Sequence, residues 1–122
     1  MKKSIDEKRE LKPKLKQATF SIKATRGADA QGELTSDGFV VFKGSKAAGT
    51  IVNSMSSSRI ALREKLIEQK ALIMKDDNYE FSDDYIFSSP SSAAVIVLGR
   101  NANGLTEWKK DGKTLKEFEA NE

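Results

Sequence analysis

The chain has 122 residues and contains neither cysteine nor histidine. Without cysteine it can form neither a disulfide framework nor a thiolate zinc site. Without histidine it lacks the side chain most often used as a general base and as a metal ligand. Serine–histidine and cysteine–histidine catalysis are therefore both excluded.

Long hydrophobic runs are also absent, since no apolar stretch approaches the roughly 20 residues that cross a membrane. The basic N-terminus is not followed by the apolar segment of a secretory signal. We therefore expect no membrane association, and the cytoplasm is the default location. A chain of this length is expected to form one domain with its own core.

Positive charge is unevenly distributed along the chain, whose net charge is +3. Residues 1–16 hold seven basic and three acidic side chains, which leaves the rest with 14 basic and 15 acidic ones. We interpret residues 1–16 as a solvated, disordered linker or arm, with a basic arm that contacts phosphate as the alternative. Because the remainder is nearly neutral, the basic character of the whole chain is poor evidence that the folded part binds nucleic acid.

The most informative stretch is an apolar segment that carries signals for both ends of a helix. Ser89 is placed to cap the helix N-terminus, and Pro90 occupies the first helical position, where no backbone N–H is needed. Gly99 stands where helices commonly end in a left-handed residue. Because residues 93–98 are apolar on all sides, we predict a buried helix over about 90–98.

Periodicity elsewhere predicts short strands and a second helix. Residues 18–25 alternate between apolar and polar, and residues 39–43 are β-branched and aromatic, so we predict a strand at each and pair the two antiparallel. The stretch between Gly27 and Gly32 is expected to be a polar connection. A second helix, amphipathic with Arg63 away from its apolar face, is predicted over about 59–70.

Shorter elements complete the expected fold. Short strands are predicted at 71–74 and 79–81, and a hairpin at 105–115 around the pair Asp111-Gly112. The result is a single α+β domain over residues 17–118, with a small, mostly antiparallel sheet and two principal helices. Residues 119–122 are expected to fray.

Six positions are expected to cap, turn or fill the core: Ser89, Pro90, Gly99, Gly104, Trp108 and Gly112. Trp108 is the only tryptophan; we expect it in the core, with a stacking platform for a base as the alternative. The serines of 88–92 are interpreted as helix caps, with phosphate binding at that helix N-terminus as the alternative.

Three short motifs could carry chemistry, but each lacks the context that its chemistry requires. Residues 112–114 read Gly-Lys-Thr, as at the end of a phosphate-binding loop, yet Glu107 stands where that loop needs another glycine. Residues 68–70 have the Glu-x-Lys spacing of metal-dependent nucleases, but they fall in a predicted helix instead of a strand. The aspartate pairs at 76–77 and 83–84 lack the spacing of a calcium loop. We therefore assign no catalytic, cofactor-binding or metal-binding residue and expect no cofactor.

Several segments, taken in order, resemble a known family. They are residues 38–45, 63–67, 81–85, 87–104, 108–109 and 111–115. Over residues 18–118 the chain resembles domain-of-unknown-function family 4357, which is similar to the module associated with restriction-enzyme adenine methylases. The specific part of the resemblance is 88–104. Leu105 departs from the pattern, because an aromatic residue is more usual at that position.

The resemblance implies an accessory domain, since members commonly follow GIY-YIG-type nuclease domains or occur in restriction–modification proteins. It implies no catalytic residue. The expected function is weak, non-specific DNA contact on behalf of a nuclease or methylase domain in the same chain or in a partner. The alternative is a protein–protein interaction or scaffolding domain with no nucleic-acid role. Candidate DNA contacts are polar side chains at segment ends, where we expect them to converge on one face: Lys43, Ser45, Arg100, Asn103, Lys109, Lys110 and Lys113.

Overall fold

One helix, α2 (Pro90–Leu98), lies at the centre of the fold, and its side chains from Ser92 to Leu98 are all buried. This confirms the prediction that a helix apolar on every side belongs to the core. Its neighbours are the first helix, the short helix that follows it, and four strands of the sheet. The remaining elements are arranged around it.

The computed structural model describes residues 18–24 and 26–120, where it has nine strands and four helices. Residues 1–16, interpreted as a linker, lie outside the described part. The strands are β1 (Thr19–Lys23), β2 (Asp29–Thr35), β3 (Gly38–Val41), β4 (Lys46–Ala47), β5 (Leu72–Lys75), β6 (Asn78–Phe81), β7 (Tyr85–Phe87), β8 (Lys109–Lys110) and β9 (Lys113–Thr114). The other helices are α1 (Ser57–Glu68), α3 (Gly104–Glu107) and α4 (Leu115–Ala120).

All strand pairings in the described part are antiparallel, and the α+β class is confirmed. One path through the sheet runs β5-β6-β4-β2-β1-β8-β9, and β3 and β7 branch from β2. Strand β2 therefore pairs with three others. It pairs with β1 along one edge, and along the other edge its start pairs with β4 and its end with β3.

Strands β1 and β3 do not pair with each other as predicted, because β2 lies between them. The supposed polar connection is the first half of β2, whose inward-facing residues are Ala30, Gly32 and Leu34. The strand does alternate between buried and more exposed positions, but two of its three buried residues, Ala30 and Gly32, are small, so the hydrophobic pattern is weak. At Gly32 a Cβ would lie 2.4 Å from an atom of the Phe39 ring, so this strand needs a glycine there.

The N-terminus of α2 is capped as the sequence predicts, and it also contacts the segment that follows the helix. The Ser89 hydroxyl accepts from the Ser92 N–H at 3.1 Å, and Pro90 is the first helical residue. Trp108 is fully buried and donates from Nε1 to the Pro90 carbonyl at 3.0 Å. A Cβ on Gly104 would lie 2.2 Å from the Pro90 carbonyl carbon. The start of α3 can therefore lie this close to α2 only because residue 104 is a glycine. The assignment of Trp108 to the core is confirmed.

The C-terminus of α2 ends at Gly99, whose φ of 71° is the predicted left-handed conformation. The loop between β4 and α1 runs alongside it and supplies donors for its carbonyl groups. Ala48 N–H donates to Val97 O at 2.8 Å, and Val52 N–H donates to Gly99 O at 3.0 Å. These bonds hold the loop against the end of the helix, where unpaired carbonyls would otherwise be buried.

Helix α1 begins and ends about two residues earlier than predicted. Its C-terminus is capped by two hydrogen bonds, from Ala71 N–H to Leu66 O and from Lys70 N–H to Ile67 O. Lys70 is in the left-handed region, with a φ of 65°. The prediction that Arg63 faces away from the apolar side is wrong, since Arg63 is buried beside Leu66. Its spacing from Ile60 and Ile67, three before and four after, places it within the apolar stripe.

The C-terminal region differs from the predicted long hairpin. Helix α3 replaces its first half, and only β8 and β9 pair, around Asp111 and Gly112 with φ of 53° and 81°. Two positive φ angles make this the type I′ turn that an Asp-Gly pair favours. Helix α4 occupies 115–120, where fraying was expected from 119 on; residues 121–122 lie outside the described part.

Helix α4 begins at a reciprocal pair of hydrogen bonds between Thr114 and Glu117. The Glu117 carboxylate accepts from Thr114 N–H at 2.9 Å, and the Thr114 hydroxyl accepts from Glu117 N–H at 3.2 Å. The bond from the Thr114 backbone N–H, and then a second bond that the Thr114 hydroxyl donates to the same carboxylate at 3.2 Å, hold the pKa of Glu117 below its ordinary value, with Lys113 and Lys109 adding to the effect. This arrangement is a capping box.

We predict that Ile96→Ala destabilises the domain by about 2–5 kcal/mol, because it removes fully buried methyl and methylene groups from α2. The matched control is Ile86→Ala on β7, where the side chain is 54% exposed and a small change is expected. Chemical denaturation of both variants measures the difference. Equal midpoints for the two would contradict the central position of α2.

We also predict that the capping box makes stability depend on pH. The pKa of Glu117 is lower in the folded chain than in the unfolded chain. The Glu117 carboxylate therefore stabilises the fold fully at pH values above its unfolded pKa, and this stabilisation is lost as the pH falls through its folded pKa. Glu117→Gln should therefore lower the melting temperature near neutral pH, and should lower it by less at about pH 3. An unchanged difference at both pH values would show that the charge of Glu117 does not contribute.

Candidate functional site

The predicted DNA contacts fall into three separate places, and the first is the hairpin of β8 and β9. We call this pair of strands, with Lys109, Lys110 and Lys113, the lysine hairpin. Lys109 and Lys113 are exposed, and Lys110 forms an ion pair with Asp111 at 3.2 Å. The hairpin lies at one end of the sheet path and presents its lysine side chains to solvent.

The second place is the connection that leads from α2 to the lysine hairpin. Arg100 Nη1 lies 3.4 Å from the Glu107 carboxylate, so much of its charge is neutralised within the domain. The Asn103 side-chain oxygen accepts from Leu105 N–H at 2.9 Å and caps α3. Both side chains therefore have a local structural role, although Asn103 is exposed.

The third place, around Lys43 and Ser45, lies beyond β4, β2 and β1 along the sheet path. Lys43 is exposed in a turn attached to β6, where Gly44 N–H donates to Phe81 O at 2.9 Å. Ser45 is buried, and its hydroxyl accepts from Gln31 N–H at 3.1 Å and donates to Gln31 O at 3.3 Å. These bonds satisfy the backbone N–H and C=O groups of Gln31, at the point where β2 changes its partner strand. Because the Ser45 hydroxyl is buried and already hydrogen-bonded, it cannot reach a phosphate. The structure does not bring all seven predicted contacts to one face.

Two arginines that sequence reasoning did not single out form a different cluster, which we call the arginine pair. Arg63 of α1 is 5% exposed; its Nη2 donates to Ala48 O at 3.0 Å, and its guanidinium lies 5.0 Å from the Tyr79 ring centre. Arg26, in the turn between β1 and β2, donates from Nη2 to the Thr50 hydroxyl. In both residues Nη1 is buried and has no acceptor in the described part of the chain.

The burial of Arg63 and the nearby charge of Arg26 both affect the pKa of Arg63. Burial away from water lowers the pKa of Arg63; the neighbouring Tyr79 opposes the shift, and the positive charge of Arg26 adds to it. Arginine stays protonated in proteins even so, which means that the arginine pair keeps two positive charges close together. No ion pair joins either guanidinium to a carboxylate among the described residues.

The turn that presents Arg26 is fixed by its neighbours. Asn78 Nδ2 donates to Arg26 O at 3.1 Å and to Ala47 O at 3.3 Å. Gly27 has a φ of 89°, and a Cβ there would lie 2.2 Å from Asn78 Nδ2. Arg26 is therefore held by a turn in which only glycine fits beside Asn78.

The acidic residues do not form a metal site within residues 18–24 and 26–120, where no three potential ligand side chains come together. Asp76 and Asp77 form the turn between β5 and β6, and Glu68 is the last residue of α1. Over the same residues no helix is long and apolar enough to cross a membrane.

Comparison with known families gives a match that spans nearly all of the described domain. A family model described as a domain of unknown function, DUF4357, matches residues 20–119. The chain belongs to this family. The DUF4357 match runs from β1 into α4 and includes the capped α2 segment that carried the resemblance. No curated protein and no solved structure matches the chain.

We predict that Ser45→Ala destabilises this DUF4357 domain by about 1–3 kcal/mol, because it leaves the Gln31 N–H without its acceptor. Lys43→Ala, two residues away on the exposed turn, is the control and should leave stability nearly unchanged. Urea denaturation compares the two. A larger loss for Lys43→Ala would contradict the structural role given to Ser45.

Proposed function

We propose that the chain is a non-catalytic accessory domain whose lysine hairpin adds weak nucleic-acid contact to a partner enzyme. The resemblance favours a partner of the nuclease or restriction–modification type, in the same chain or in another. We expect the cytoplasm as the default location. The observation that supports nucleic-acid contact is the pair of exposed lysines, Lys109 and Lys113, neither of which has an ion-pair partner among the described residues.

The register of the hairpin strengthens the argument. Lys110 lies directly opposite Lys113, and like charges at opposed positions destabilise a strand pair. Asp111 offsets part of this repulsion through its ion pair with Lys110. A phosphate beside the hairpin would relieve the remainder, so the hairpin is better suited to an anionic surface than to a neutral one.

Charge also limits the strength of the contact. Because the chain after residue 16 is nearly neutral, we expect a Kd in the non-specific range of about 10⁻⁴–10⁻⁶ M. A patch of this size should contact only a few phosphates. Each phosphate contributes a slope of about −0.9 to the dependence of log affinity on log salt, so the expected slope is about −2 to −4.

The experiment is a titration of a labelled DNA duplex with the full chain at several salt concentrations. We expect the double variant Lys109→Glu/Lys113→Glu to weaken binding and to reduce the salt slope by about one to two, because it removes up to two phosphate contacts. Every variant keeps residues 1–16, so a contribution from that basic segment is the same throughout.

The matched control is Lys65→Glu/Lys70→Glu, which changes the net charge equally at two exposed lysines of α1 and the turn after it. This control should keep most of the salt slope. Absence of binding at low salt, or equal effects of the two double variants, would reject nucleic-acid contact at the lysine hairpin.

The alternative, a protein–protein interaction domain, is favoured by a different feature. Strand β5 ends the sheet path opposite the lysine hairpin and exposes Ile73 by 41% and Met74 by 49%. Apolar side chains on a sheet edge are typical of surfaces that another chain can cover. If the duplex titration shows no binding, the alternative replaces the nucleic-acid proposal.

A further inference from the structure

The arginine pair keeps two positive charges in a place where the domain compensates them poorly. Removing an ion from water costs several kcal/mol even after relaxation, and a counter-charge usually offsets this. Here the partners of Arg63 are a carbonyl group and an aromatic ring, and the partner of Arg26 is a hydroxyl group. None of these carries a full negative charge.

Helix α2 supplies a partial compensation. Ala48 and Thr50, which accept from the arginine pair, belong to the loop that runs along the C-terminus of α2. A helix C-terminus is equivalent to about half a negative charge. Two guanidinium groups bring two positive charges, so more than one positive charge is left without a counterpart.

Unused donors at the same place specify the chemistry of a ligand. The two buried Nη1 groups can each donate to an oxygen, and a hydroxyl that accepts from Arg26 still has its own hydrogen to donate. Planar guanidinium groups match the spacing of phosphate oxygens. A phosphate monoester carries a charge of about −1.5 to −2 near neutral pH, which balances two arginines, whereas a carboxylate or a phosphodiester carries only one negative charge.

A ligand would approach from the side of Arg26 and Thr50, and it would have to displace the side-chain groups that cover the two buried Nη1 atoms. Thr50 is exposed and Arg26 is half-buried, whereas Arg63 lies behind them against Tyr79. A bound group would therefore meet Arg26 and Thr50 at the surface and Arg63 at the inner side. Binding therefore needs side-chain movement to uncover the two Nη1 atoms, whereas the backbone of the turn is already held by the bond from Asn78 to Arg26 O.

We propose that Arg26 and Arg63, with the Thr50 hydroxyl, form a binding site for a dianionic phosphate group. Strand β1 separates this site from the lysine hairpin. In the antiparallel register, Ser21 pairs with Lys109, so the hairpin extends toward the start of β1, whereas Arg26 follows its end. The proposal goes beyond nucleic-acid contact at the hairpin and does not depend on it.

The first test measures the melting temperature of the full chain in inorganic phosphate against sodium chloride of the same ionic strength. At phosphate concentrations about ten times Kd, we expect a rise of about 5 °C. Calorimetric titration with inorganic phosphate gives the Kd directly. Arg26→Gln, at a half-buried position, should weaken binding about tenfold or more and remove most of the rise.

Matched controls separate this site from general effects of the anion. Arg59→Gln removes an arginine one turn away on α1 that donates to Ser92 Oγ at 2.9 Å, and it should keep the rise. Lys109→Glu/Lys113→Glu should keep it too, even if that variant loses duplex binding. A rise that persists in Arg26→Gln, or no rise above the chloride control, would overturn the proposal.

A second arm identifies the source of the phosphate. Single-stranded oligonucleotides that differ only in a 5′-phosphate or a 5′-hydroxyl are titrated against the wild type and Arg26→Gln. Tighter binding of the phosphorylated strand, lost in Arg26→Gln, would support a nucleic-acid terminus as the ligand. Equal binding of the two strands together with binding of inorganic phosphate would support a small phosphate monoester or free phosphate.

Discussion

The burial of helix α2 on every side is the constraint on which the rest of the structure depends. A helix without water around it needs protein partners for the polar groups at both ends. At its N-terminus the side chain of Trp108 and the close approach of Gly104 bring α3 and the lysine hairpin to their positions. At its C-terminus the loop over residues 48–52 supplies the N–H donors.

The same constraint determines where the arginine pair lies. Ala48 donates its N–H to the end of α2, and its carbonyl accepts from Arg63. Thr50, two residues on, accepts from Arg26. The cluster is thus a consequence of closing a buried helix, and replacing Gly99, whose Cβ would lie 2.4 Å from Thr50 O, would disturb both.

Local signals explain which parts of the fold could be predicted from the sequence. Helix α2 was predicted because its caps and its apolar residues are adjacent in the chain. Strand β2 was missed because its core residues are small, and Gly32 is small only to make room for the Phe39 ring, a contact that no local pattern contains. Helix α4 was missed although Thr114 and Glu117 have the spacing of a capping box, so that signal was readable.

The candidate site divides in the same way. The lysine hairpin could be predicted, because an Asp-Gly turn between lysines specifies exposed charge by itself. Arg63 could be placed on the apolar stripe of α1 from its helical spacing, but its hydrogen-bond acceptor comes from a loop 15 residues away and its aromatic partner, Tyr79, from β6. Ser45 was assigned to the surface because its burial depends on the change of partner along β2.

The two sets of positive charge differ in what they can do. Exposed lysines keep their hydration, so their attraction to an anion is long-ranged, weak and reduced by salt. In the arginine pair, Arg63 and the Nη1 atom of Arg26 are buried, so an anion that reaches them meets donors in a low dielectric. Binding at the lysine hairpin should therefore fall steeply with ionic strength, whereas binding at the arginine pair should depend on it much less. Measuring both in one salt series would separate a surface that collects nucleic acid from a site that selects one phosphate group.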